Sequence, residues 1–322
     1  MKRIALSILT CLMLSPTFAQ DSIFTGLENR VNLKLPNGFS KKLQKTNIMG
    51  PKPSDRDYVE YVYDKDSVKI TITLQELYAK AGDQVEDDIK KTILNWSKMG
   101  TTFSIASTTV ANDITYYKIV PEKLLTEKPS FVKEAYFMKL PDNSMVSTFT
   151  MVSKSVIDKN FLSKNVTVNM SKILTVGSRT SNKKGDEVKV KLADTTLVFT
   201  MPFDGMVSPL KGYSYTVIKV SELNRLIAPA SEFSMYYGRH PQHILDEMSP
   251  EVKANIKKKK GKLFGDKVKW KYCYPKPNQN FWFMAECFYT INDAFYLHLY
   301  IRAKSKADAL LIENCITQLK KE

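Results

Sequence analysis

FVKEAYFMKLPDNSMVSTFTMVSKS, residues Phe131–Ser155, reads as a β-hairpin running into a helix, and it occurs twice. Shifted by 150 positions without a gap it lies on Phe281–Ser305, FWFMAECFYTINDAFYLHLYIRAKS. Phe131 then falls on Phe281, Ala135 on Ala285, Phe149 on Leu299 and Lys154-Ser155 on Lys304-Ser305. A second register agrees. VKWKYCYP (Val268–Pro275) lies on ITYYKIVP (Ile114–Pro121) at an offset of 154, with the following loop shorter by four residues. Two copies of one fold are therefore expected.

Working outward in the first half, VNLKLPNGF (Val31–Phe39) reads as a strand closed by a Pro-Asn-Gly turn. DYVEYVYD (Asp57–Asp64) and SVKITITL (Ser67–Leu74) alternate apolar and polar residues around Lys65-Asp66, the pattern of a hairpin. Asp83 to Met99 is the clearest helix. Asp83 and Glu86 have capping-box spacing, Val85, Ile89, Ile93 and Trp96 form one apolar face, and Gly100 ends it. Strands follow at Phe103–Val110 and Ile114–Val120, then the quoted hairpin, then a helix from about Val156 to Leu174. The half reads as an α+β unit.

The second half repeats the plan. TTLVFTMPFDG (Thr195–Gly205), SYTVIKV (Ser214–Val220) and EFSMYY (Glu232–Tyr237) read as strands. Pro241–Met248 reads as a short helix, and Ser249-Pro250-Glu251 starts a second one running into Lys257–Lys260. A last helix is expected over Ser305–Lys320. Gly177 to Gly185 holds no large apolar residue and reads as the linker. The expected organisation is 1–19 leader, 20–176 first domain, 177–186 linker and 187–322 second domain.

The leader reading rests on MKRIALSILTCLMLSPTFAQ. A basic start, an apolar run from Ile4 to Leu14 and a small residue at Ala19 are those of a secretory signal peptide cleaved after Ala19. The apolar run is shorter than the ~20 residues of a spanning helix. Lipidation at Cys11 is disfavoured by Thr10 before it. Loss of Lys2 and Arg3 takes the net charge from +15 to +13. A basic exported chain is drawn to anionic surfaces such as headgroups or acidic envelope polymers, and nucleic acid is a weaker candidate there; the alternative is that the lysine excess serves solubility alone. Cys273, Cys287 and Cys315 remain, allowing at most one disulfide, with Cys287–Cys315 conceivable; the competing reading is three buried thiols.

Leu35-Pro36-Asn37-Gly38-Phe39, the Tyr116-Tyr117 strand, and the closing hairpin with its helix resemble the PsbP-like (also DcrB-like) superfamily. The second half departs from it: Met201-Pro202-Phe203-Asp204-Gly205 has an extra residue, and Trp270 stands in place of Tyr116. The resemblance implies two tandem α/β/α-type domains, each an antiparallel sheet flanked by helices on both faces. It also implies a non-enzymatic adaptor, with no catalytic residues to carry over.

Chemistry is sparse. No Gly-rich phosphate loop, Gly-x-Ser-x-Gly elbow or Cys-x-x-Cys is present, and no cofactor is expected. His240 and His243 with Glu247 put potential metal ligands within one or two helical turns, the basis of an alternative reading as a metal-dependent hydrolase; surface histidines near a helix start are the plainer reading. Tyr296, His298, Tyr300 and Arg302 share one side of a strand, opposite Phe295, Leu297, Leu299 and Ile301. They could bind a ligand or partner, or lie beneath a helix. Lys257, Lys258, Lys259, Lys260 and Lys262 form a basic run suited to an anionic surface or to a solvated helix end. The leading expectation is an exported non-catalytic module that binds a protein or an anionic envelope polymer through the second half. Charge-driven peripheral membrane contact, without a transmembrane span, is a further alternative.

Overall fold

The computed structural model describes residues 21–43, 54–65, 68–97, 102–123, 130–153, 169–192, 195–228, 230–274, 282–292 and 294–322. The expected leader, Cys11 and most of the helix expected at Val156–Leu174 lie outside these residues.

The first half begins with Ser22–Gly26 (β1), Val31–Leu35 (β2), Phe39–Lys42 (β3), Tyr58–Lys65 (β4) and Val68–Lys80 (β5). Helix α1 (Val85–Ser97) follows, then Phe103–Ala111 (β6), Ile114–Pro121 (β7), Ser130–Lys139 (β8) and Ser144–Ser153 (β9). A single turn, α2 (Met170–Ile173), leads into β10 (Leu174–Val176). Leu174, expected to end a helix, therefore opens a strand.

The second half runs through Glu187–Leu192 (β11), Thr195–Thr200 (β12), Gly205–Lys211 (β13), Tyr215–Glu222 (β14) and Glu232–Gly238 (β15). A 3-10 turn at Leu245–Glu247 and helix α3 (Pro250–Lys253) come next. Then follow Ile256–Leu263 (β16), Asp266–Cys273 (β17), Phe283–Asn292 (β18), Phe295–Ala303 (β19), helix α4 (Lys306–Thr317) and Lys320–Lys321 (β20).

The pairing makes the duplication explicit. One seven-stranded sheet has the order β3-β4-β5-β9-β8-β7-β6, and the other β13-β14-β15-β19-β18-β17-β16. Each half adds a three-stranded sheet, β1-β2-β10 or β11-β12-β20. Every named strand pair is antiparallel, and the two connection orders are the same. In each half the small sheet covers the apolar face of the large one. Leu33 and Leu35 pack with Ile70, Ile72, Tyr116 and Val146, and Leu197 and Phe199 pack with Phe233, Met235, Trp270 and Leu299.

The fold is β-rich, which corrects the α+β expectation of sheets flanked by helices: of the described residues 58% are strand and 14% helical. The reason is physical. One face of each large sheet is covered by a small sheet, whose own strands alternate inward and outward as in β2; in the second half α4 shares that cover through Ala309, Ile312, Cys315 and Ile316. The lysine run is a second correction. Helix α3 stops at Lys253, and Lys257–Lys260 form part of strand β16. A run of like charges has no helical face to segregate, whereas the edge of a sheet tolerates lysine well.

The repeat register also shifts. Phe149 packs with Ile93, Trp96 and Phe137 beneath α1, whereas Leu299 points to the opposite face with Trp270 and Phe199. Pairing of Ala135 with Phe149 and of Glu286 with Tyr300 matches Phe149 to Tyr300. A gapless shift of 150 is one residue short, and one residue in a strand reverses every side chain.

The segment read as the linker is docked on the first half. Arg30 is fully buried. Its Nε donates to Glu76 Oε1 at 3.2 Å, and its Nη1 donates to Asp142 Oδ2 at 2.8 Å and to the Arg179 carbonyl at 2.6 Å. Arg179 reaches the other oxygen of Glu76 and donates to the Leu27 carbonyl from Nε at 3.1 Å. Leu27, Glu28 and Asn29 all have positive φ, a left-handed turn that costs roughly 1–2 kcal/mol per non-glycine residue. Arg179 caps that turn. Gly177 is required because a Cβ there would lie 1.9 Å from the Asn29 carbonyl oxygen.

The halves also meet directly. Arg225 Nε donates to Asp88 Oδ2 at 3.0 Å, Lys80 Nζ lies 2.7 Å from Asp204, and Ala79 bridges Asn224. Among the described residues no helix is long and apolar enough to cross a membrane.

Removing one partner of a buried charge network leaves the others uncompensated, at about 3–5 kcal/mol. Arg179→Ala should lower unfolding stability by that order in urea titration. An unchanged midpoint would show the network to be energetically neutral. Asp142 gives a pH signature. Burial opposes its ionisation, but hydrogen bonds from Ser144 and the Arg30 guanidinium hold its carboxyl well below the usual range. A carboxyl depressed in the folded chain contributes stability that is full above the ordinary aspartate value and lost as pH falls through the folded value. Wild type should lose stability in acid more steeply than Asp142→Asn.

Candidate functional site

The second large sheet exposes two neighbouring features on the face away from the small sheet. The first is a lysine array. Strands β16 and β17 pair Lys258 with Lys271, Lys260 with Lys269 and Lys262 with Lys267. Directly opposed residues share a face, so these six ammonium groups stand in two rows of three. The backbone positions that carry them are spaced about 4.8 Å across the strands and about 7 Å along them. Trp270 and Tyr272 point to the other side, into the core. Lys257 and Lys259 take that side too but stay exposed at the sheet edge, where Lys259 lies 3.3 Å from Glu313 and over the Tyr272 ring. Of the array, Lys271 alone has a carboxylate within ion-pair distance among the described residues. The equivalent edge strand of the first half, β6, is FSIASTTVA, without a charge.

The second feature borders the array. Glu286, on β18, is completely buried. Its Oε2 accepts from the Leu245 N–H at 3.3 Å and lies 3.5 Å from His298 Nε2. Its Oε1 is 3.4 Å from Lys271 Nζ. Lys271 also donates to Asp246 Oδ2 at 2.5 Å, and His243 Nδ1 lies 3.7 Å from the same oxygen. Phe288 is held between the two imidazoles, stacked on His298 with centroids 4.3 Å apart and tilted against His243 at 4.5 Å. Burial opposes ionisation of Glu286, but His298, the Leu245 amide and Lys271 together hold its carboxyl below the usual range. Lys271 shifts the other way, since its Asp246 and Glu286 partners outweigh its desolvation.

Tyr296, His298, Tyr300 and Arg302 do share one side of β19, yet that side is partly covered. His298 is buried under Phe288. Tyr300 packs beside Leu245, Val252 and Met284. Arg302 lies over the Trp282 ring at 4.2 Å. Segment 243–253 provides the cover that α1 provides in the first half. His240 and Glu247 do not join His243: Glu247 accepts from Gln242 at 2.6 Å, and His240 is exposed. The partners of His243 are instead Asp246 and Glu286. Glu286 escaped sequence reasoning because it lies 43 residues downstream and meets His243 only where the turn before Leu245 packs on β18. Its signal was a lone glutamate within the apolar strand FMAECFYTIN.

The three cysteines are buried and unpaired. Burial raises the Cys273 thiol and pushes Cys287 and Cys315 up to about 12.

No family model, curated protein or solved structure matches the chain.

Two outcomes are expected. Glu286 contributes stability above the ordinary glutamate range, lost as pH falls through its depressed folded value. Glu286→Gln should therefore cost about 1–3 kcal/mol at neutral pH and flatten the acid side of the stability profile; parallel profiles would contradict this. Native protein at pH 8 should resist iodoacetamide at all three thiols until denaturant is added, as read by mass spectrometry.

Proposed function

We propose that the chain is an exported, non-catalytic binding module that holds an anionic polymer of the cell envelope on the lysine array of its second half. The observation that carries this reading is the three cross-strand lysine pairs. Like charges directly opposed in a sheet are destabilising, so three stacked pairs oppose the fold that contains them. An edge strand needs only one or two charges to discourage aggregation, and the matching strand β6 manages with none. A linear polyanion lying along β16 and β17 would neutralise both rows together. No large apolar side chain is exposed on either strand, which favours a soluble polyanion over insertion into a bilayer. Export rests on the N-terminal sequence.

Labelled inorganic polyphosphate serves as the probe. The combined substitutions Lys258→Gln, Lys260→Gln and Lys262→Gln should weaken binding by about 10-fold or more at low salt, and wild-type affinity should fall steeply as salt shortens the Debye length. Unchanged affinity in the variant would remove the array from the account. Binding to anionic vesicles without binding to polyphosphate would transfer the array to a membrane-surface role.

A further inference from the structure

The cluster beside the array has a chemistry of its own and shares Lys271 with it. His243, Asp246 and Glu286 each present a ligand atom, and these atoms lie within 4.8 Å of one another. The geometry points to a site for a divalent metal ion of the zinc class on these three side chains. One imidazole and two carboxylates suit zinc-like ions, whereas calcium requires six or more oxygens. Three protein ligands leave a fourth position for water or an external donor.

Glu286 is the fixed ligand. It is fully buried, and its Oε2 is anchored by the Leu245 amide and His298, while Oε1 accepts no hydrogen bond. A buried carboxylate oxygen in that state is costly unless a cation meets it. His243 and Asp246 are exposed on the adjoining turn, so both can close on an ion by side-chain rotation alone. Phe288, packed on both imidazoles, limits the orientations available to His243. The cation now facing Oε1 is the Lys271 ammonium, 3.4 Å from Glu286 and 2.5 Å from Asp246. It lies at ion-pair distance from the same two carboxylates that would hold the metal. Metal and Lys271 therefore compete: ion binding must displace the ammonium, which would rejoin the array beside Lys258.

Competition sets the test apart from adventitious binding to surface histidines. Zinc chloride is titrated into metal-free full-length protein by calorimetry, with thermal stability followed in parallel. One ion per chain should bind. His243→Ala and Asp246→Asn, both at exposed positions, should each weaken binding by about 10-fold or more, as loss of a ligand does at least as much as loss of its support. His240→Ala should leave binding unchanged. Lys271→Met should bind zinc several-fold more tightly than wild type, because the competing charge is gone. Absence of binding in both wild type and Lys271→Met would overturn the site, and so would binding lost in His240→Ala but kept in His243→Ala. Weaker binding in a folded Lys271→Met variant would overturn the competition.

Discussion

The structure depends on a buried charge network: Arg30 and Arg179 around Glu76 and Asp142. Arg30 sits at the end of the turn joining β1 and β2. Glu76 comes from the long central strand β5, Asp142 from the β8–β9 turn, and Arg179 from the segment that leads to the second half. Four parts of the chain distant in sequence converge on two guanidinium groups. Buried ion pairs are poor sources of net stability, because desolvation offsets most of their attraction. Their strength is directional. Planar guanidinium groups accept few arrangements of carboxylates, so this network fixes how the turn, the sheet and the connecting segment meet.

That constraint propagates. With Arg179 docked, Asn182 pairs with Gly205 at the start of β13, and Asp204 is placed to receive Lys80. The second half is thus fastened at its first strand, and Arg225 reaching Asp88 fastens it again. Charges are used in the opposite way at the far edge of the second sheet. There, lysines face lysines, most of them without carboxylates at hand. The first half keeps the same strand order with serine and threonine at that edge. The two halves share one scaffold and differ where difference leaves the core intact.

Much of this scaffold was legible in sequence. Alternation in Tyr58–Lys65 and Ile114–Pro121 marks strands, and the face of Ile89, Ile93 and Trp96 marks the helix. The duplication itself was visible as two agreeing registers. Its phase was not, since Phe149 and Leu299 are equally apolar and alternation alone does not say which face meets which core. The lysine run was misread because Pro250-Glu251 starts a helix well, while the stop at Ala254 carries no glycine or proline. The site was half legible. His243 stood out and Asp246 lies three residues on, but Glu286 joins them only where this turn packs on a distant strand. The segment read as the linker holds no large apolar residue, yet Arg179 docks it on a buried carboxylate.

Hydrogen exchange with and without inorganic polyphosphate tests the central claim most directly. The account predicts slowed exchange confined to Ile256–Cys273, strands β16 and β17, with β6 and β7 of the first half unchanged. Protection spread equally over both halves, or centred on the first, would contradict it.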